Sequence, residues 1–203
     1  MPAAPEGAVI EPSGHPDRAS LRGTWPLRLA VEADASTLED LIHASVHSLQ
    51  AAHYSRAQMD AAIGPVFGVD LQLVRDGTYF VAEEDDVIVG CGGWSRRRSL
   101  FGGSSSREGA DPPLDPLREP ARIRAFFVRP GWERRGIGSS ILAACESAIR
   151  LAGFFRAELV ATLAGEPLYA RYGYVAVLRH EIPLGDGLGL PVVGMAKDFA
   201  LRA

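Results

Sequence analysis

A stretch near the middle of the chain, Ala121–Leu142 (ARIRAFFVRPGWERRGIGSSIL), constrains the fold more than any other. Ile123, Phe126, Phe127 and Val128 give its first half the apolar, β-favouring character of a strand. Pro130 and Gly131 stop that strand. Gly136-Ile137-Gly138-Ser139 then opens a run in which Ile137, Ile141, Cys145, Ala148 and Ala152 share one helix face, and Gly153 ends it. A helix entered in this way presents unpaired N–H groups and a partial positive charge. Glycine lets a ligand approach that backbone closely, and Arg134 and Arg135 add fixed charge beside it. Such a turn can seat a pyrophosphate.

The remaining composition narrows what that anion belongs to. A chain of 203 residues, 47% hydrophobic and 23% charged, reads as one globular domain with a sizeable core. A net charge of −4 argues against a nucleic-acid binder. The arginines at 96–98 and at 122, 124, 129, 134 and 135 are locally dense, which suits a small anionic ligand rather than a polyanion. Cys91 and Cys145 both sit in apolar runs and read as buried free thiols, as in a reducing compartment. No apolar run approaches the roughly 20 residues of a membrane-spanning helix. The first twenty residues lack the basic start and apolar core of a signal peptide. The expectation is a cytoplasmic protein with neither a membrane nor a nucleic-acid partner.

Along the chain, residues 1–24 are rich in Pro, Gly and Ala and read as a flexible tail, leaving 25–203 as the domain. Leu27–Val31 is a short strand, and Asp34 is the expected N-cap of a helix over Ala35–Gln50. His43 and His47 lie off that helix's apolar stripe, with no carboxylate in a zinc-site pattern, so no metal site is expected. A short helix over Arg56–Ile63 starts at Ser55. Thr78–Glu83 and Val87–Ser95 form a hairpin. A long loop at 99–120, with four prolines and a Gly-Ser run, interrupts the pattern. After the opening segment come a strand at Arg156–Thr162, a short helix at Glu166–Tyr172, and strands at Tyr174–Pro183 and Pro191–Asp198. The order predicts an α/β layered domain: a mixed, mostly antiparallel sheet of six to seven strands flanked by about four helices. A parallel pair is expected across the crossover helix.

These residues resemble the GNAT superfamily of N-acetyltransferases. The resemblance rests on Val128-Arg129-Pro130 followed by Glu133-Arg134-Arg135-Gly136-Ile137-Gly138, and on Pro167–Tyr174 (PLYARYGY) downstream. It implies acetyl-CoA as the acetyl-donor cosubstrate. The pyrophosphate would lie on the backbone of Arg134, Arg135, Gly136, Ile137, Gly138 and Ser139. The pantetheine arm would pair with Phe126, Phe127 and Val128 like an added strand. Tyr169, four residues before Gly173, matches the family's general acid, which protonates the departing thiolate. The Val128 amide would stabilise the thioester carbonyl oxygen. The acceptor implied is an amine of a small molecule or peptide, and a homodimer stays open as the assembly.

Several positions depart from the family's pattern. Glu133 stands where the family has Gln or Arg, and Ala164 where many relatives carry an Asn that bonds pantetheine. No general base stands on the Ala121–Val128 strand; Glu83, Glu158 and His180 are the conceivable ones, beside water. Trp94 and Arg96 could form an aromatic and cationic wall for an acceptor carboxylate, and a core tryptophan with surface arginines is the alternative. Two competing functions remain: a non-catalytic CoA-binding domain of the same fold, and a dinucleotide-binding domain. The second lacks the third glycine and an N-terminal placement of the motif.

Overall fold

The acidic turn after Glu84 sets the first register. Asp85 and Asp86 take left-handed φ values of 51° and 61°, the twist a two-residue hairpin needs. They join β2 (Tyr79–Glu84) to β3 (Val87–Ser95), with Glu84 opposite Val87. The computed structural model describes residues 25–102 and 111–199. The expected tail at 1–24 and the centre of the long loop, 103–110, lie outside the described residues.

Seven strands form one sheet in the order β1-β2-β3-β4-β5-β7-β6. The others are β1 (Leu27–Leu29), β4 (Ala121–Val128), β5 (Arg156–Thr162), β6 (Val175–Gly185) and β7 (Leu188–Asp198). Every neighbouring pair is antiparallel except β4 and β5, which are parallel and joined through helix α4 (Ile137–Leu151). The final hairpin is longer than expected and turns on Asp186-Gly187, both at positive φ.

Alternation along the strands gives the sheet two apolar faces. One packs against α4 and buries Val89, Trp94, Ile123, Leu159 and Met195 with Ile137, Ile141 and Leu142. The other buries Val81, Ile88, Cys91 and Leu190 against α1 (Ala35–Leu49) and α2 (Arg56–Ala62). Both cysteines are buried and unpaired.

Local chemistry explains most element ends. Ser55 and Gln58 exchange hydrogen bonds as a capping box at the start of α2. Asp34 does not cap α1 as expected: the chain already turns through a 3-10 segment at Glu32–Asp34. Its carboxylate instead takes a bidentate ion pair from Arg28 and the N–H of Val31. A fifth helix, α3 (Leu71–Arg75), was not expected; Asp70 caps it by accepting the Gln72 N–H at 3.1 Å. The remaining helix is α5 (Glu166–Arg171), so five α-helices flank the sheet among the described residues. No helix of the described residues is long and apolar enough to cross a membrane.

Candidate active site

The parallel pair β4–β5 holds only from Ala121 to Ile123, opposite Ala157 to Leu159. Beyond Ile123 the two strands part. The reason lies in β4 itself. Arg124 pairs with Gly93 and Phe127 with Cys91, so Ala125 and Phe126 together face one residue, Gly92. This is a β-bulge, and Ala125 sits at φ 59° to make it. The Tyr79 hydroxyl donates to the Ala125 carbonyl at 3.3 Å and steadies the strained residue. Past the bulge, the Arg129 N–H donates to Val89 of β3. Backbone groups alternate along a strand, so those of Val128 turn away from β3 into the gap.

Aromatic side chains line the gap on both faces of the sheet. Phe126 meets Tyr169 edge-on at 5.9 Å on the α4 side, and Phe127 meets Phe67 at 6.1 Å on the α1 side. Gly92 makes room for Phe126: a Cβ there would stand 2.6 Å from its ring. The cleft continues between Thr162, Gly165 and Tyr169 at one end and Gln50, Val66, Phe67, Leu100 and Phe101 at the other. It passes through the sheet from one face to the other. Tyr169, 7% exposed, keeps its proton well beyond the ordinary tyrosine range because burial disfavours the phenolate.

The glycine-arginine turn leads from β4 to the first turn of α4. Arg134 has φ 62° and Gly136 φ 91°, with Arg135 between them at negative φ. Such alternation points successive N–H groups into one concavity that holds anions. The free N–H groups at the start of α4 add to it. Gly138 lies against Leu168, 3.1 Å from where its Cβ would be. The two arginines separate here. Arg135 lies over the rings of Trp132 (4.1 Å) and Trp25 (5.4 Å) and faces Glu84. The Trp25 indole N–H also donates to the Arg135 carbonyl at 2.9 Å. Arg134 is exposed and makes no ion pair with another described residue. Glu133 is exposed as well, so its carboxylate need not face the concavity.

Other expected site residues fall elsewhere. Trp94 is a core residue, edge-on to Phe154 at 6.1 Å. Arg96 is exposed and donates to the Asp76 carbonyl. Neither lines the cleft, so the wall expected from them does not form. Glu83 is engaged by Arg28, and Glu158 by Arg122 at 2.5 Å. His180 is outside the cleft lining too. Ala164 does not line the cleft, whereas Thr162 does, with its hydroxyl accepting the Gly165 N–H. His47 faces Asp60 at 3.4 Å, and no metal-binding cluster occurs among the described residues.

Two cleft residues are not singled out from the sequence as parts of a site. Arg124 is buried, and its guanidinium meets the Asp70 carboxylate at 2.7 Å. The same head donates to the carbonyls of Ser99, Phe101 and Gly102, holding the start of the long loop over the cleft. Gln50, at the end of α1, is 6% exposed, and its side-chain oxygen has no hydrogen-bond partner among the described residues.

Solved structures share this architecture. A GCN5-related N-acetyltransferase from Rhodopseudomonas palustris superposes with a TM-score of 0.65 at 22% identity, over 88% of this chain and 98% of that one. PaiA N-acetyltransferase from Thermoplasma acidophilum, in complex with coenzyme A, matches at 0.59 and 14% identity over 87% and 100%. A GNAT family acetyltransferase from Brucella melitensis, in complex with acetyl-CoA, matches at 0.51 and 16% over 89% and 91%. No curated protein matches the chain. The profile described as "Acetyltransferase (GNAT) domain" covers residues 75–176, just over half of the 203. The chain therefore belongs to the GNAT acetyltransferase family.

Proposed function

We propose that this protein transfers the acetyl group of acetyl-CoA to a primary amine of a small-molecule or peptide acceptor, by direct attack in a ternary complex. The observation that carries this reading is the gap between β4 and β5, with a buried, protonated Tyr169 on its wall and the start of α4 beside it. The residues fit the donor. Free strand backbone at Val128 suits the amide-bearing pantetheine arm, with Phe126 and Phe127 as its flanks. The concavity from Arg134 to Ser139 suits the pyrophosphate. Bound there, acetyl-CoA supplies the activated acyl group.

The chain's own residues then do three things. The Val128 N–H stabilises the thioester carbonyl oxygen as charge builds on it. Tyr169 gives its proton to the departing sulfur and regains one from solvent. The cleft holds the amine in line with the carbonyl carbon, so that a C–N bond forms as the C–S bond breaks. Among the described residues no carboxylate or imidazole lines the cleft, which supports loss of the amine's proton to water.

Replacing Tyr169 with Phe tests the assignment. We expect kcat to fall about 10²- to 10⁴-fold with acetyl-CoA affinity retained. Absence of acetyl-CoA binding by calorimetry at millimolar concentration would overturn the reading. The lack of a carboxylate or imidazole among the described residues of the cleft favours, as second reading, a non-catalytic CoA-binding domain; Tyr169→Phe would then change nothing. The two buried free thiols support a cytoplasmic location. Val175, Val177 and Leu178, exposed on edge strand β6, support a homodimer.

A further inference from the structure

The α1 end of the cleft carries chemistry of its own. Its walls are apolar: Val66, Phe67, Leu100, Phe101 and Ile182. Its polar side chains are Gln50 and Arg124. Arg124 offers no net charge, because Asp70 neutralises it and three loop carbonyls accept its N–H groups. Gln50 differs. It lines the cleft, and its buried side-chain oxygen has no hydrogen-bond partner among the described residues. A buried acceptor left unpaired destabilises a fold by about 1–3 kcal/mol. A group kept in that state inside a cleft is a place for a ligand to complete. A ligand that completes this one must donate a hydrogen bond.

We infer that the acceptor is a primary amine carried on an uncharged, apolar body, and that it donates an N–H to the Gln50 side-chain oxygen at the α1 end of the cleft. This rests on the acetyl-transfer reading above. The same walls select against two other kinds of amine. Among the described residues of the cleft, a polyamine would bury a second ammonium with no carboxylate to meet it, and an acidic amino acid would bury a carboxylate where the one cation, Arg124, is already paired. An apolar body loses nothing on entering and gains from each methylene buried.

The test uses the full chain with acetyl-CoA and follows thiol release from three acceptors: 2-phenylethylamine, spermidine and glutamate. We expect kcat/KM for 2-phenylethylamine to exceed the other two by at least about tenfold, the worth of one unpaired buried group. Gln50→Leu, which keeps the volume and removes the oxygen, should raise KM for 2-phenylethylamine about tenfold. Acetyl-CoA affinity by calorimetry should stay unaltered, which also reports that the variant folds. Preference for spermidine or glutamate overturns the inference, as does no turnover of 2-phenylethylamine or an unchanged KM in Gln50→Leu. In each of those cases acetyl-CoA binding leaves the donor site standing. Loss of acetyl-CoA binding by the unaltered protein overturns both readings together.

Discussion

Arg134 and Arg135 are neighbours in sequence, yet the fold gives them different work. Arg135 is held by two tryptophan rings and Glu84, so it braces the turn. Arg134, left-handed and exposed, is available to an anion. Arg134→Ala should weaken acetyl-CoA binding about tenfold by calorimetry, the worth of one charged hydrogen bond. Arg135→Ala should change that affinity less than about threefold and show mainly as a lower melting temperature, by losing cation–π contacts worth about 0.5–1 kcal/mol each. With no carboxylate or imidazole among the described residues of the cleft, the proposed loss of the amine's proton to water sets the pH dependence. The acid limb of kcat/KM should follow the pKa of the amine supplied, shifting when a less basic amine is used. Tyr169 stays protonated across that range because its proton is held tighter than in a free tyrosine. A limb fixed near pH 6.5 for every amine would reveal a histidine instead. Tyr169 and the glycine turn are singled out from short motifs, Pro167–Tyr174 and Glu133–Gly138, that the resemblance to the family rests on. Arg124 was legible only as a polar strand position, because its partner Asp70 lies 54 residues earlier and only the folded sheet unites them. Gln50 gave no signal at all: a glutamine after an amphipathic helix looks the same whether solvated or buried.

At the level of elements, glycines in β3 decide where α4 can sit. A Cβ at Gly90 would fall 2.4 Å from Ile137 Cγ2, and Ile137 is fully buried with no room to retreat. The start of α4, and the glycine-arginine turn with it, is therefore drawn against the strand. Gly90→Ala should cost about 1–3 kcal/mol in denaturant unfolding and weaken acetyl-CoA binding in parallel. The elements themselves were mostly readable, because long apolar periodicities mark α1, α4 and the central strands. Two failures have physical causes. α3 is only five residues, too short for periodicity to register, although Asp70 was there as its cap. Asp34 resembles an N-cap, but Arg28 takes its carboxylate, an ion pair set by tertiary contact and not by helix chemistry.

For the molecule as a whole, acid should be the condition that loosens it. Arg97 grips the Asp76 carboxylate at 2.7 Å and holds its pKa below the ordinary carboxylate range, and Arg28 does the same for Asp34. A folded carboxylate that resists protonation contributes stability in full above the unfolded pKa of about 4, and loses it as pH falls through the lower folded value. Denaturant midpoints should thus be flat from pH 7 to 5 and drop below pH 4. Asp76→Asn should lower stability at pH 7 by about 1.5–3 kcal/mol and make the acid decline shallower. The same reasoning reaches the parted strands. An unpaired strand edge on a protein's rim is a hazard, since any other sheet can zip onto it. Here the bare edge is recessed, with β4 on one bank, β5 on the other and aromatic rings above and below. An edge flanked on both sides in this way is shielded from another sheet, so the protein keeps an adhesive edge open without becoming adhesive.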